Sequence, residues 1–265
     1  MLIHNFNPVA ISLFELEIRW YSLAYIFGIL FGWAYAKKII KKTTIINSNE
    51  QLSFIKNLDN LIPYLVFGIM LGGRLGYILF YNLEYYKNNI LEIFYLWNGG
   101  MSFHGGLIGI LVSTYFFSKK NKISHFYFMD IICLVAPIGI FFGRLANFIN
   151  AELVGKKTSL PWGVIFPQYD NYLRHPSQIY EALLEGVVLF FILSFLAFKK
   201  KYIFIKSKIS AFFLIIYSIF RIFSEIFREP DNHIGYIFYY VSLGQILSII
   251  MLIFGLLLIF KKNEI

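Results

Sequence analysis

Residues 128–155 read FMDIICLVAPIGIFFGRLANFINAELVG, an apolar run that ends in polar and charged side chains. With the first residues of its polar end, the run is long enough to cross a bilayer, which needs about 20 residues. Arg144, Asn147, Asn150 and Glu152 follow one another where the chain leaves the membrane. An arginine at the centre of a bilayer costs roughly 2.5–3.5 kcal/mol on insertion scales and usually marks function. The stretch therefore predicts a transmembrane helix with functional groups at one end.

The composition of the whole chain supports a membrane protein. Hydrophobic residues make up 58% and aromatic residues 20% of the sequence, beyond the usual range of soluble domains. The net charge of +9 does not indicate nucleic-acid binding, because the lysines cluster in the loops after predicted spans. The single Cys133 excludes an intrachain disulfide, and its apolar neighbours predict a buried packing residue.

Seven segments are apolar enough to be predicted as transmembrane helices. They lie near residues 18–36, 61–81, 103–118, 127–147, 178–198, 210–228 and 238–260. The predicted fold is all-α: a polytopic membrane protein with seven helices in one transmembrane domain over residues 1–265. A short periplasmic segment is predicted near residues 148–177.

The lysines predict the orientation. Lysine clusters follow the first, third, fifth and seventh spans, the last of them Lys261 and Lys262. The loops on the opposite side contain fewer basic residues, namely Lys87, Lys156, Lys157 and Arg174. Because basic loops stay in the cytoplasm, we predict an outer N-terminus and a cytoplasmic C-terminus.

Arginine is distributed differently from lysine. The six arginines lie within spans, at their outer ends or in the outer loop: Arg19, Arg74, Arg144, Arg174, Arg221 and Arg228. A guanidinium binds carboxylate or phosphate with two parallel hydrogen bonds and dehydrates more easily than an ammonium. We interpret the lysines as setting topology and the arginines as holding an anion near the outer surface. For Arg19, snorkelling from a span edge is an equally good explanation.

Two groups of charges share helix faces. Arg221, Glu225 and Arg228 have i, i+4, i+7 spacing, which places a carboxylate between two guanidiniums on one face. A phospholipid phosphate site and a structural ion network both fit this pattern. Glu181 and Glu185 are i, i+4, and at least one of them should meet an arginine from another span, since a carboxylate in lipid needs a basic partner.

Two histidines are candidates for function. His104 lies among four glycines at the predicted mouth of the third span, in the run that begins at Asn98, and could act as a general base near neutral pH. His175 lies just before the fifth span, where a hinge or capping role and substrate binding are both open. His4 and His125 are interpreted as surface or interfacial residues, and His233 is assigned no role.

Glycines at four-residue spacing predict close helix packing. The pairs and triplets are Gly28/Gly32, Gly68/Gly72/Gly76, Gly105/Gly109 and Gly139/Gly143. The sequence contains no phosphate-binding loop, zinc-binding helix or nucleophile elbow. We therefore predict neither a cofactor nor a metal.

Six blocks of sequence resemble the prolipoprotein diacylglyceryl transferase family of bacterial inner membranes. In chain order they are RWY (19–21), LGGRLGY (71–77), GGMSFHGG (99–106), GRLANFINAELVG (143–155), RHPSQIYE (174–181) and FRIFSEIFREPD (220–231). The blocks run nearly from end to end of the chain. The resemblance implies an enzyme that moves the diacylglyceryl group of phosphatidylglycerol to the lipobox cysteine of a prolipoprotein and releases glycerol phosphate.

The resemblance also implies roles for residues. Arg144 and Arg221 would hold the phosphate, Asn147 and Glu152 would position it, and His104 would activate the substrate thiol. Tyr21 and Tyr217 match positions that are important in the family. The predicted catalytic set is His104, Arg144, Arg221, Tyr21 and Glu152. The predicted substrate-binding set is Arg144, Asn147, Asn150, Glu152, Gly155, His175, Tyr217, Arg221, Glu225 and Arg228.

The implied partners are phosphatidylglycerol, a prolipoprotein signal peptide and the lipid bilayer, with no nucleic acid. The implied location is the bacterial inner membrane, with the active site toward the outer leaflet. Two other classes remain open. An ion-coupled transporter or lipid flippase would also bury arginine and glutamate, but it usually has repeated halves, and the sequence has no internal repeat. A non-catalytic scaffold would not require charges from several spans.

Overall fold

The computed structural model describes residues 2–14, 16–42, 48–95, 99–230, 235–237 and 240–260. Asn98, Asp231, His233, Lys261 and Lys262 lie outside the described residues. The chain is mostly helical, with α1 (Trp20–Lys42), α2 (Ser48–Tyr81), α3 (Leu83–Asn88), α4 (Phe103–Asn121), α5 (His125–Ile149), α6 (Ser177–Glu181), α7 (Leu189–Phe198), α8 (Lys208–Ser224) and α9 (Leu243–Phe260). A π-helical stretch, Ala182–Val188, joins α6 to α7. Short 3₁₀ turns occupy Ile90–Phe94 and Tyr202–Phe204.

Within the described ranges, five helical stretches are long and apolar enough to cross a membrane. They are Trp20–Lys42, Ser48–Tyr81, His125–Ile149, Ser177–Phe198 and Leu243–Phe260. They correspond to the first, second, fourth, fifth and seventh predicted spans. The third and sixth are the helices α4 and α8. Helix α8 has 17 residues and ends at Ser224, short of the predicted 228. At about 1.5 Å per residue it falls short of the roughly 30 Å hydrocarbon core. The seven-span arrangement stays a prediction.

The chain divides into two compact units. The first contains residues 1–36 and 130–265, and the second contains residues 37–129. Each unit is described separately below.

Short strands join the helices of the first unit. β1 (Leu2–Ile3) pairs in parallel with β4 (Val164–Ile165), and β4 pairs antiparallel with β5 (Leu173–Arg174). Two hairpins are formed by β2 (Val9–Leu13) with β3 (Leu16–Arg19), and by β6 (Tyr236–Ile237) with β7 (Val241–Ser242). The prediction of an all-α chain missed these strands, since segments of two to five residues are too short for a clear alternation of apolar and polar residues.

The N-terminal strand carries His4 into a small core, so its interpretation as a surface residue was wrong. The His4 N–H donates to the Ile165 carbonyl (2.8 Å), and its Nε2 lies 2.7 Å from the Phe148 carbonyl. The imidazole packs against the rings of Phe148 and Phe166 and is 1% exposed. The core beneath β4 is thereby tied to the end of α5.

Glycines allow close helix contacts in both units, as the spacing predicted. A Cβ on Gly28 would lie 2.9 Å from Gly139 Cα, where α1 meets α5. In the second unit, a Cβ on Gly76 would lie 2.7 Å from Gly105 Cα, where α2 meets α4. The prediction was wrong for Gly143, whose added Cβ would have no described neighbour within 4 Å. Cys133 is buried and unbridged, as predicted.

Candidate active site

Charged side chains from three helical segments of the first unit meet in one cluster. Arg144 on α5 donates from Nε and Nη2 to Glu185 Oε2 (3.2 and 2.9 Å), and its Nη1 lies 2.9 Å from Glu181 Oε2. Arg221 on α8 donates from Nη1 to Glu181 Oε1 and lies 3.5 Å from Glu185 Oε1. The prediction that these glutamates would meet an arginine from another helix is confirmed. Both glutamates contact both arginines.

The cluster continues beyond the end of α8. Glu225 Oε1 accepts from Arg221 Nη2 and from Arg228 Nη1 (3.3 Å), so a carboxylate does lie between two guanidiniums. The predicted reason was wrong, because α8 ends at Ser224 and Arg228 lies past the helix in a bridge with Gly155. A turn, and not a continuous helix face, brings Arg228 to Glu225.

The cluster is buried and electrically balanced. It contains three arginines and three glutamates: Arg144, Arg221, Arg228, Glu181, Glu185 and Glu225. Glu181 and Glu185 are fully buried, whereas the Arg144 side chain is 15% exposed. Buried charges are tolerated when they are paired and hydrogen-bonded. Each carboxylate of the cluster therefore has a guanidinium partner within the apolar surroundings.

Two serines complete the cluster and were missed by the sequence analysis. Ser224 donates to Glu185 Oε1 (3.3 Å), and Ser242 donates to Glu225 Oε2 (2.9 Å). Ser224 could have been found from its i+3 spacing to Arg221 on α8. No local pattern indicates Ser242, which reaches the site from the strand before α9.

The π-helical stretch explains how the glutamates reach Arg144. Glu181 is the last residue of α6 and Glu185 lies within the π-helical stretch, a widened turn that is frequent at functional sites. Gly186 lies against α5 there, since an added Cβ would be 2.7 Å from Phe141 Cβ. Arg144 follows Phe141 by one turn, so this close approach places its guanidinium beside both carboxylates.

A tight turn after α5 presents Glu152. Ala151 and Leu153 on either side of it have φ of 54° and 55°, a left-handed conformation that is unfavourable for residues other than glycine. The Glu152 carboxylate accepts from Asn147 Nδ2 (3.1 Å) and Asn150 Nδ2 (3.2 Å). Glu152 is nevertheless exposed. The turn therefore holds a solvent-facing carboxylate in a fixed position.

Gly155 closes the segment after that turn. Its N–H donates to the His175 carbonyl (3.2 Å), and its carbonyl accepts from Arg174 Nη1 (2.8 Å). An added Cβ would lie 2.7 Å from His175 Cβ. Only a residue without a side chain fits this approach.

Arg174 braces the segment between α5 and α6. It donates to the carboxylates of Asp170 (Nη2 to Oδ2, 2.6 Å) and Glu229 (3.0 Å). These bonds, the one to Asp170 above all, raise the pKa of Arg174, and hydrogen bonds from Arg174 lower the pKa of Asp170. Arg174 therefore holds two carboxylates together.

His175 belongs to a chain of polar side chains at the start of α6. Trp162 Nε1 donates to Tyr180 Oη (2.8 Å), which lies 3.2 Å from His175 Nδ1. Partial burial, followed by the nearby Lys156 charge, lowers the pKa of His175. The imidazole is therefore neutral at physiological pH.

The remaining predicted residues lie in separate places. Tyr217 lies on α8, one turn before Arg221. Tyr21 lies at the start of α1, with its ring 5.4 Å from that of Tyr25. His104 belongs to the second unit, where it is exposed in the first turn of α4. In the part of the chain that the structure describes, no group of three His, Cys, Asp or Glu residues could hold a metal ion.

Comparison with known proteins identifies the family. A family model described as prolipoprotein diacylglyceryl transferase matches residues 8–261, nearly the whole chain. The chain belongs to the prolipoprotein diacylglyceryl transferase family. The resemblance drawn from the six sequence blocks is thereby confirmed.

Individual relatives in this family are similar over their full length. A relative from Rickettsia bellii (strain OSU 85-389) is 51% identical over 263 residues, which cover 99% of this chain and 98% of the relative. Relatives from Rickettsia canadensis and Rickettsia felis are 49% and 48% identical, with 99% of both chains covered. All three are named phosphatidylglycerol–prolipoprotein diacylglyceryl transferase. Family membership does not favour the transporter, flippase or scaffold alternatives.

Proposed function

We propose that this chain transfers the diacylglyceryl group of phosphatidylglycerol to the lipobox cysteine of a prolipoprotein, the first step of bacterial lipoprotein maturation. The bond between a glycerol carbon and a phosphate oxygen breaks, and a bond forms between that carbon and the cysteine sulfur. The thiol loses its proton, and glycerol phosphate leaves. Family membership and the names of the relatives support this reaction.

The observation that carries the proposal is the convergence of Arg144 and Arg221 on shared glutamates. The phosphate becomes more negative as it leaves, so fixed cations aimed at it stabilise the transition state. The glutamates hold both guanidiniums in place. Arg144 has five N–H donors, and among the described residues three of its contacts go to Glu181 and Glu185. Its other donors supply the hydrogen bonds to the lipid phosphate.

Arg221, Glu225 and Arg228 then have a supporting role. Arg221 adds positive charge beside Arg144, and Glu225 holds Arg221 and Arg228 together. Tyr217 lies one turn before Arg221, on the same face of α8. In this arrangement Arg144 contacts the phosphate, whereas Arg221 and Arg228 help to position Arg144.

Glu152 acts on a different part of the headgroup from the one first predicted. A carboxylate repels phosphate, and both amides beside it already point their N–H groups at its oxygens. The glycerol hydroxyls of phosphatidylglycerol are hydrogen-bond donors, and an exposed, fixed carboxylate accepts from them. Asn147 and Asn150 therefore position Glu152, and Gly155 and His175 form the adjacent wall. This assignment predicts a preference for a glycerol headgroup.

His104 and Tyr21 complete the proposed catalytic residues. His104 takes the proton of the substrate thiol, because an imidazole can act as general base near neutral pH. Tyr21, at the start of α1, is included because it matches a position that is important in the family. Both assignments come from the family resemblance.

The membrane arrangement is part of the proposal. The chain works as one transmembrane domain of seven spans in the bacterial inner membrane, with an outer N-terminus and a cytoplasmic C-terminus. The segment near 148–177 faces the periplasm, and the active site opens toward the outer leaflet. The apolar helices and the lysine-rich loops support this orientation.

Purified protein in phosphatidylglycerol vesicles tests the function directly. A lipobox peptide should gain the mass of one diacylglyceryl group, and the same peptide with serine in place of cysteine should gain none. Arg144→Lys should reduce kcat by about 10²–10³-fold, as the loss of a preorganised donor does in other enzymes. The control is Arg19→Lys, the same substitution at an exposed arginine. No mass gain with folded wild-type protein, or equal rates for the two variants, would contradict the proposal.

A further inference from the structure

Among the residues that the structure describes, backbone carbonyls of the segment that leads to α4 are the hydrogen-bond partners of Arg74 on α2. Its side chain is buried, with the residue 2% exposed. Nε donates to one carbonyl, and Nη1 and Nη2 donate to two each. The acceptors are the carbonyls of Ile93 (3.0 Å), Glu92 (2.6 Å), Tyr95 (3.1 Å), Gly100 (3.4 Å) and Gly99. The guanidinium also lies 5.1 Å from the ring centroid of Tyr86.

These contacts use all five N–H donors that a guanidinium has. Arg74 therefore has no donor left for a phosphate, in contrast to Arg144. Its interpretation as an anion-binding arginine is wrong, because its partners are neutral carbonyls. Lysine could not replace it, since an ammonium has three donors at one point and cannot reach acceptors spread around a planar fork.

The segment held by Arg74 continues directly into the start of α4. Gly100, with φ of +76°, lies against both Arg74 and the Tyr77 ring. The Ser102 N–H then donates to the Gly73 carbonyl (2.9 Å), and the Ser102 hydroxyl caps the helix by accepting from the Gly105 N–H (3.2 Å). Residues adjacent in α2 thus fix two consecutive points of the chain before α4. His104 lies in the turn that this cap begins.

We propose that Arg74 is a positioning residue for His104. By binding carbonyls of residues 92–95 and 99–100, it fixes where α4 begins and hence the direction of the imidazole. Arg74 touches no substrate and acts only through the chain between Gly99 and Ser102. The effect on catalysis rests on the proposed role of His104, whereas the effect on the imidazole does not.

Two pairs of variants in the full-length protein test this inference. Arg74→Lys is matched with Arg19→Lys. Gly100→Ala is matched with Gly99→Ala, since both glycines have φ of +76° and bear the same backbone strain. An added Cβ at Gly100 would lie 2.5 Å from the Tyr77 ring and 3.1 Å from Arg74 Nη1, whereas at Gly99 it would have no described neighbour within 4 Å. The second pair decides the question if Arg74→Lys does not fold.

The first readout is kinetic, with the lipobox peptide in phosphatidylglycerol vesicles. Arg74→Lys and Gly100→Ala should lower kcat by about 10- to 100-fold, the effect of moving a reacting group by about 1 Å. KM for phosphatidylglycerol should stay near the wild-type value. Arg19→Lys, at an arginine whose side chain and whose partner Glu17 are both exposed, should lose less activity than Arg74→Lys, and Gly99→Ala should lose less activity than Gly100→Ala. An unchanged kcat in folded Arg74→Lys and Gly100→Ala, or an equal loss of kcat in Gly99→Ala and Gly100→Ala, would overturn the proposal.

The second readout is independent of activity. In protein labelled with ¹³C at the histidine rings, the His104 resonance should shift or broaden in Arg74→Lys and Gly100→Ala, while those of His4 and His175 stay unchanged. An unchanged His104 resonance in a folded variant would overturn the inference. If the resonance moves but His104→Ala retains full activity, Arg74 still positions His104, and the proposed catalytic role of His104 fails.

Discussion

Glu181→Gln removes the carboxylate that joins the two central arginines. Glu181 is fully buried and contacts Arg144 Nη1 through one oxygen and Arg221 Nη1 through the other. Glutamine has nearly the same volume, so packing changes little, but the cluster passes from electrical balance to one excess positive charge. The amide also turns an N–H group toward guanidiniums that offer only donors.

The expected cost follows from the burial of the pair. Removing one partner of a buried ion pair leaves an uncompensated charge and costs about 3–5 kcal/mol. The control is Glu17→Gln, because Glu17 lies 3.7 Å from Arg19 with both side chains more than half exposed. Exposed pairs contribute about 0–1 kcal/mol. The free energies of unfolding of the two variants should therefore differ by at least about 2 kcal/mol.

Reversible denaturation in mixed detergent micelles measures this difference. Glu181→Gln should unfold at a clearly lower denaturant concentration than the wild type. Glu17→Gln should unfold at nearly the same concentration as the wild type. The transfer rate should fall as well, since Arg144 and Arg221 lose a shared anchor. Equal stability of the two variants would refute the idea that a balanced ion cluster holds these helices together.

Two further predictions concern the segment between α5 and α6. Gly155→Ala should destabilise the protein and lower its activity, because the added Cβ would collide with His175. The control is Gly143→Ala, whose Cβ would enter open space, so the melting temperature should stay equal or rise slightly. Equal melting temperatures for both alanine variants would contradict the close approach at Gly155. Hydrogen bonds from Arg174 hold the pKa of Asp170 in the folded protein below its unfolded value of about 3.9. The Asp170 carboxylate therefore stabilises the folded protein fully above about pH 5, and this stabilisation is lost as the pH falls through the lowered folded pKa. The melting-temperature gap between wild type and Asp170→Asn should therefore narrow in acid, and a constant gap down to about pH 3 would count against this ion pair.

Features that depend on neighbouring residues could be predicted from the sequence. The five long apolar helices follow from uninterrupted hydrophobic runs. The contact of Gly28 with Gly139 follows from glycine spacing, although Gly143 shows that spacing alone does not prove a contact. The need of Glu181 and Glu185 for cationic partners followed from the cost of a carboxylate in lipid.

The identity of those partners could not be predicted in the same way. Arg74 and Arg144 both follow a glycine in an apolar run, yet one is bound by five carbonyls and the other by two glutamates. The sequence gives the chemistry of each guanidinium but not the acceptors that the fold brings within about 3 Å of it. Arg228 similarly reaches Glu225 through a turn that helical spacing did not predict.

The amino-acid sequence by itself determined the class of protein, its apolar helices and its family. The length of a hydrophobic run and the order of motifs are properties of consecutive residues and need no knowledge of packing. Only the tertiary structure decided which charges pair, since Arg144 and Glu185 are 41 residues apart and meet through the approach of two helices. The same holds for His4, which a parallel strand pairing buries against residues 144 positions away. Pairing across such distances depends on how helices and strands pack, and a local pattern does not contain that information.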